Sequence, residues 1–275
     1  MLKYTRIILL VLCTIIGFLV AFLIIMWRPF NPKNTYVITK YFLAPVAKIV
    51  GIKVHIEYPE FLKKYRERGV VYAGNHQSNW DIVALAHCIL PGTVAIGKKS
   101  LAWVPLFGIV YVWSGCVRLD RENKTKAMAT MNKVSQDLHN NRYSIWIFPE
   151  GTRSKGKGLG KFKNGPILTA AQAQVPLIPI VSSSYINNFD MNRWNNGHLI
   201  IEYLEPVEYP EYDLKKREDV KEIKKQTNEL REKYVAKIAE LDARVKVLND
   251  QEGVTEIIPI VHDNDEGSAA AEKSE

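Results

Sequence analysis

The chain has 275 residues, 47% of them apolar, which is enough core for one large α/β domain or two small ones and excludes a chain too polar to fold. Its formal charge is +8, but Leu248 to Glu275 holds eight acids against Lys273 alone, so that segment carries −7 and the first 247 residues +15. A basic body points to an acidic partner, whether nucleic acid, anionic membrane or phosphorylated substrate. The three cysteines, Cys13, Cys88 and Cys116, lack metal-ligand spacing, and their scatter fits a reducing compartment better than a disulfide framework.

In chain order, the first element is Ile7–Met26, twenty residues without a charge. As a helix it is about 30 Å long, matching a bilayer core. Met26-Trp27-Arg28-Pro29 follows, bulky where a signal-peptide cleavage site needs small residues. The expectation is a retained membrane helix within residues 1–33, with a helix half-inserted in one leaflet as the alternative. Lys3 and Arg6 precede the run while Arg28, Lys33 and Lys40 follow it, so charge leaves its orientation open.

Thr35–Val50 reads as a helix along the membrane. Strands are expected at Lys53–Glu57, Val70–Gly74, Thr93–Gly97, Cys116–Leu119, Arg142–Phe148, Leu177–Ser182 and His198–Leu204. Between them, helices are expected at Asn79–Leu90, Ala102–Trp113, Lys124–Asn141 and Gly165–Gln174. Such alternation implies a mixed, mainly parallel sheet flanked by helices. Val220, Ile223, Thr227, Leu230, Tyr234, Ile238, Leu241, Val245 and Leu248 then recur at spacings of three and four. They form one long amphipathic helix, expected to pack on the body, with a dimeric coiled coil as the rival reading. The domain reading is therefore an anchor at 1–33, a body at 34–249 and an acidic, flexible tail at 250–275.

Two motifs carry chemistry. Asn75-His76-Gln77-Ser78-Asn79-Trp80-Asp81 follows a strand and opens a helix, so Asp81 can accept the imidazole Nδ1–H and leave Nε2 as a base. Phe148-Pro149-Glu150-Gly151-Thr152-Arg153-Ser154 breaks out of another strand and sets an acid, a hydroxyl and an arginine side by side, suited to phosphate. Gly151 to Lys157 also satisfies the spacing of a nucleotide-binding P-loop. Gly158 then stands where magnesium needs Ser or Thr, and glycines 156, 158 and 160 oppose the required helix.

Together these motifs resemble the first and third blocks of the glycerolipid acyltransferases. The second block is matched by Gly97-Lys98-Lys99-Ser100-Leu101, Val104-Pro105-Leu106-Phe107-Gly108 and Arg118-Leu119-Asp120-Arg121, and the fourth by Val175-Pro176-Leu177-Ile178-Pro179. The four blocks come in the family's order, from about Lys40 to Leu248. The resemblance is to the bacterial 1-acyl-sn-glycerol-3-phosphate acyltransferases. It implies the glycerol-3-phosphate acyltransferase-like fold behind an N-terminal membrane helix. It implies transfer of an acyl group from acyl-CoA or acyl-carrier protein to the sn-2 hydroxyl of lysophosphatidic acid. Another lysophospholipid, or glycerol 3-phosphate, is the alternative acceptor.

On that resemblance His76 and Asp81 are catalytic, while Arg153, Lys99, Arg118 and Arg121 meet the substrate phosphate. Glu150 binds glycerol hydroxyls or orders its loop, with Gly151 and Thr152 beside it. No metal, cofactor or nucleic acid is expected, and the oligomeric state stays open. The implied location is the bacterial inner membrane, with the active site facing the cytoplasm.

Overall fold

Short β-branched and aromatic runs bounded by glycine and proline set the strands of this protein. The computed structural model describes residues 1–65 and 68–254; the acidic tail expected from 250 onward lies mostly outside them. The strands are β1 (Lys53–Ile56), β2 (Val71–Gly74), β3 (Thr93–Lys98), β4 (Val117–Leu119), β5 (Ser144–Ile147), β6 (Leu177–Ser182) and β7 (His198–Tyr203). They form a seven-stranded sheet in the order β1-β7-β6-β2-β5-β3-β4. Every neighbouring pair is parallel except β6 and β7. The sheet is mixed and mainly parallel, as the alternating pattern implies. The strands β6, β2, β5, β3 and β4 all run one way, so five carboxyl ends and their loops gather along one edge, where open α/β sheets bind ligands.

Alternate side chains of each strand feed two cores. Val71, Ala73, Ile145, Leu177 and Val181 face one. Tyr72, Trp146, Ile178 and Ile180 face the other. The helices are α1 (Leu2–Trp27), α2 (Lys33–Ile38), α3 (Val46–Ile49), α4 (Asp81–Ala84), α5 (Phe107–Trp113), α6 (Lys124–His139), α7 (Gly165–Ala173) and α8 (Arg217–Gln251). The stripe expected on α8 is the face that packs on the first core: Leu230, Tyr234, Leu241 and Val245 are buried there. The Tyr234 hydroxyl donates to the Ala73 carbonyl of β2 at 2.5 Å.

Three expected helices are broken, two of them beside a proline. Residues 35–50 divide into α2, a π-turn at Thr39–Leu43 and, beyond Pro45, α3. The segment after Ser78 gives only α4 and a 3₁₀ turn, Ala86–Cys88, before Pro91. At 102–113 a 3₁₀ turn (Lys99–Trp103) is separated from α5 by a reversal at Leu106, φ 63° and ψ −59°. There Phe107 N donates to Pro105 O at 2.7 Å, which makes a γ-turn of the rare, strained kind. Gly108 is required inside this corner, because a Cβ would stand 2.2 Å from the Ala102 carbonyl oxygen.

The N-terminal helix does not project from the body. Gly17, Ala21 and Ile25, spaced by four, are buried against it, while Ile8, Val11, Ile15, Leu19 and Leu23 are exposed. At the start of α1 the buried Arg6 guanidinium donates to the carbonyls of Met191 (3.0 Å), Trp194 (3.1 Å) and Arg193. Past its end, Phe30 N bonds Trp113 O at 2.7 Å, and the two rings stack 5.4 Å apart.

Candidate active site

The site begins where β2 ends. Asn75 is buried and ties this exit to the end of β6: its Oδ1 accepts from Ser182 N (2.9 Å) and Oγ (3.0 Å), and its Nδ2 donates to Ser182 O at 3.0 Å. Gln77 makes a second tie, donating to the Ser183 carbonyl at 2.7 Å. His76 sits between these anchors. The Phe148 ring stacks on its imidazole with centroids 3.9 Å apart and planes at 10°.

Asp81, the first residue of α4, is 3% exposed. Its Oδ2 accepts from His76 Nδ1 at 2.5 Å, Gln77 N at 2.7 Å and Ser78 N at 3.1 Å. Its Oδ1 accepts from the Tyr185 hydroxyl at 2.6 Å. An ionised carboxylate only accepts, so the proton of the ring is on Nδ1 and Nε2 is the nitrogen left to act as a base. Burial, and then the Asp81 charge, push the Tyr185 phenol up, which keeps it a donor.

The loop after β5 closes over this turn. Ser154 N donates to His76 O and Lys155 N to Gln77 O, both at 2.9 Å. Arg153 donates to the Asn79 side chain, and Arg121, beyond β4, donates to the Gly151 carbonyl at 2.6 Å. Gly151 needs its positive φ of 69°, and Lys163 leaves little room there: a Cβ would meet its Nζ at 3.1 Å. Glu150 is 3% exposed; its Oε1 accepts from His76 N at 2.9 Å and its Oε2 has no partner. Burial pushes its carboxyl up to about 7.

A cavity of about 690 Å³ opens on His76. Asp81, Lys98, Arg121, Gly151, Thr152 and Arg153 contribute charged and polar groups to its wall. Ile38, Leu43, Leu85, Ile89, Phe107 and Val110 contribute apolar surface to the same wall. The sheet edge therefore brings His76, Asp81, Arg121, Gly151, Thr152 and Arg153 together. Lys99 and Arg118 are not on the wall: Lys99 is exposed, 3.7 Å from Asp120, and Arg118 is exposed on β4. Glu150 is not on the wall either; it lies beneath it, holding the His76 amide. Of the apolar residues around α5, Phe107 enters the wall, whereas Trp103, Leu106, Ile109 and Trp113 face outward.

Sequence reading missed Tyr185, Asn75, Gln77 and Lys98 as parts of the site. Lys98 had a signal, because β3 ends on it and its neighbour turns away. Tyr185 had none, being separated from Asp81 by 104 residues.

The family model for acyltransferases matches residues 53–183, from β1 to just past β6. Over 245 residues the chain is 38% identical to the 1-acyl-sn-glycerol-3-phosphate acyltransferase of Haemophilus influenzae, covering 89% of this chain and 98% of that one. The chain belongs to the 1-acyl-sn-glycerol-3-phosphate acyltransferase family. The Escherichia coli K12 member is 37% identical over the same length, covering 96% of that protein. The crystal structure of the family member PlsC from Thermotoga maritima superposes with a TM-score of 0.55 at 21% identity, covering 82% of this chain and 98% of that one. At that identity the likeness speaks for the fold alone. The chain is accordingly an acyltransferase of this family, and the His76–Asp81 pair lies inside the matched region.

Proposed function

We propose that this enzyme transfers a fatty acyl group from an acyl thioester, acyl-CoA or acyl-carrier protein, to the sn-2 hydroxyl of 1-acyl-sn-glycerol 3-phosphate, giving phosphatidic acid. One observation carries the reading: the His76–Asp81 pair, 2.5 Å apart, opens on a cavity whose wall combines the cations Arg153, Arg121 and Lys98 with a large apolar share. A phosphorylated alcohol with a fatty tail has that division of character. Arg153 offers a planar fork to phosphate and Lys98 a point charge.

In the reaction the lipid hydroxyl attacks the thioester carbonyl as His76 Nε2 takes its proton. The tetrahedral intermediate collapses, the C–S bond breaks, and the imidazolium returns the proton to the leaving thiolate. Asp81 holds the ring and offsets its positive charge in between. No enzyme nucleophile is needed, because the acceptor supplies the attacking oxygen.

We also propose a membrane placement, which α1 supports. A helix fastened at Arg6 and again at Phe30, with one apolar face outward, suits a position in the cytoplasmic leaflet of the bacterial inner membrane, the active site facing the cytoplasm. Such an anchor holds the cavity where acceptor and product reside. The test is the purified enzyme in vesicles with lysophosphatidic acid, glycerol 3-phosphate or lysophosphatidylcholine as acceptor and acyl-CoA or acyl-carrier protein as donor. Phosphatidic acid formed by the native enzyme and lost in His76→Ala supports the reading; no transfer to lysophosphatidic acid with either donor overturns it.

A further inference from the structure

We infer that Tyr185 is a positioning residue of the catalytic pair, the middle member of a hydroxyl relay that holds the second oxygen of Asp81. This rests on the acyl-transfer reading above, in which His76 must be free of a proton at Nε2.

The directions of the hydrogen bonds follow from what each group can do. Asp81 accepts only, so the Tyr185 hydroxyl donates to Oδ1 at 2.6 Å. Tyr185 has then used its one proton, so Ser78 Oγ, 2.9 Å away, donates to the phenol oxygen. Ser78 Oγ in turn accepts from Trp80 N at 2.9 Å. The relay therefore runs from the backbone of α4's cap through Ser78 and Tyr185 to Asp81. Each member polarises the next. All three side chains are buried: Ser78 is 8%, Tyr185 4% and Asp81 3% exposed. Tyr185 itself is tied down, with its amide donating to Gln77 Oε1 at 3.2 Å.

Tyr185 is not on the cavity wall, so it acts through Asp81 and not on substrate. Two consequences are expected. The relay fixes the tilt of the carboxylate so that Oδ2 meets Nδ1. It also draws charge away from that carboxylate, which restrains how tightly the pair holds a proton. Without the hydroxyl, Oδ1 is a buried acceptor left unpaired, and the pair binds a proton more firmly. The other charged groups facing the pair are Lys98 from β3, Arg121 beyond β4, Glu150 through the His76 amide, and Arg153 through Asn79. They are the same in a Tyr185 variant, so its effect reports on the relay.

The experiment uses the full-length enzyme in lipid nanodiscs, comparing native, Tyr185→Phe and Ser78→Ala. Tyr185→Phe keeps the ring and removes one oxygen. The expected result is a roughly tenfold or greater fall in kcat at pH 7 with little change in KM for lysophosphatidic acid. The acid limb of the pH profile moves up by about half a unit or more. Ser78→Ala moves both in the same direction by less. Independently of turnover, the ring resonances of isotopically labelled His76, assigned against His76→Gln, titrate at higher pH in Tyr185→Phe than in the native enzyme. A Tyr185→Phe enzyme whose kcat, acid limb and His76 titration all match the native ones overturns the proposal. If the native enzyme transfers no acyl group yet the His76 titration moves, the relay stands and the acyl-transfer reading falls.

Discussion

Two histidine–carboxylate contacts lie on this sheet edge, and only one is built as a base. His76 and Asp81 follow β2; two strands along, His198 at the start of β7 brings Nε2 within 3.1 Å of Glu252, while its Nδ1 meets His55 Nε2 at 2.6 Å. The pairings look alike, yet their carboxylates do not. Asp81 is buried and takes four donors that leave it one position. The Glu252 side chain is 35% exposed, and it shares its charge with Lys53 and Asn195. His76 opens on a cavity of about 690 Å³ whose wall includes neither His198 nor His55. A basic nitrogen is common in proteins; a fixed carboxylate behind it and room in front of it are what make a catalyst.

The widest separation between the two corners comes from deleting each ring. His76→Ala is expected to lower acyl transfer by roughly 10²–10⁴-fold, the usual worth of a general base. His198→Ala should leave kcat within about twofold and be seen mainly as lost stability of about 1 kcal/mol for the hydrogen bond. Steady-state assays beside thermal melts read both. Equal losses of turnover would break the comparison.

Next in size, Arg153→Ala should raise KM for lysophosphatidic acid more than it lowers kcat, by roughly tenfold, whereas Lys99→Ala on the outer side of the 3₁₀ turn should change KM less than twofold. An acceptor titration on both variants decides this. If Lys99 proves the stronger determinant, the placement of the phosphate at the Arg153 end is wrong.

Arg6→Leu tests the fastening of α1. It removes a buried guanidinium from three carbonyls, so a stability loss of about 2–3 kcal/mol is expected, with greater protease sensitivity of residues 1–30. The core of the sheet should resist digestion as before.

The last comparison is in pH dependence, where the two glutamates should differ in sign. Glu150 holds its proton up to about pH 7, above its unfolded value near 4.5. Its contribution is therefore complete below about pH 4.5 and lost as pH rises to about 7, by at most roughly 3 kcal/mol. Glu252 is held down to about 2, first by Lys53 and then by Asn195. It favours the fold above pH 4.5 and ceases to do so as pH falls toward 2. Melting temperatures of Glu150→Gln and Glu252→Gln across pH 3–8 should diverge from the native curve at opposite ends.

The central strands were legible as continuous apolar runs, because helices cover both faces of the sheet, and the long helix by its three-to-four spacing, because it buries one face. Val71, Ala73 and Leu177 fill one core and Tyr72, Ile178 and Ile180 the other. The helices expected around Pro45 and Pro105 were drawn too long, since apolar content was allowed to outweigh a missing N–H. Within the site, His76 and Asp81 are five residues apart and adjacent in space, so spacing sufficed. Lys99 and Arg118 were harder: Lys99 begins the 3₁₀ turn after β3 and Arg118 is exposed in the middle of β4, and neither is on the wall that Lys98 borders. Tyr185 was invisible: no local pattern links it to Asp81 until β6 has paired beside β2.

The tight corner at Leu106 has a geometric consequence for the cavity beside it. A three-residue reversal closed by a 2.7 Å hydrogen bond has no slack, and it holds Leu101 on one side and Phe107 on the other. Both side chains border the cavity, so a change at the corner reaches its wall directly. The same cavity is bordered across the chain by Ile38, Thr39 and Leu43, from the segment that carries the π-turn, so its wall joins one element fixed by a tight reversal to another built on a widened helical turn.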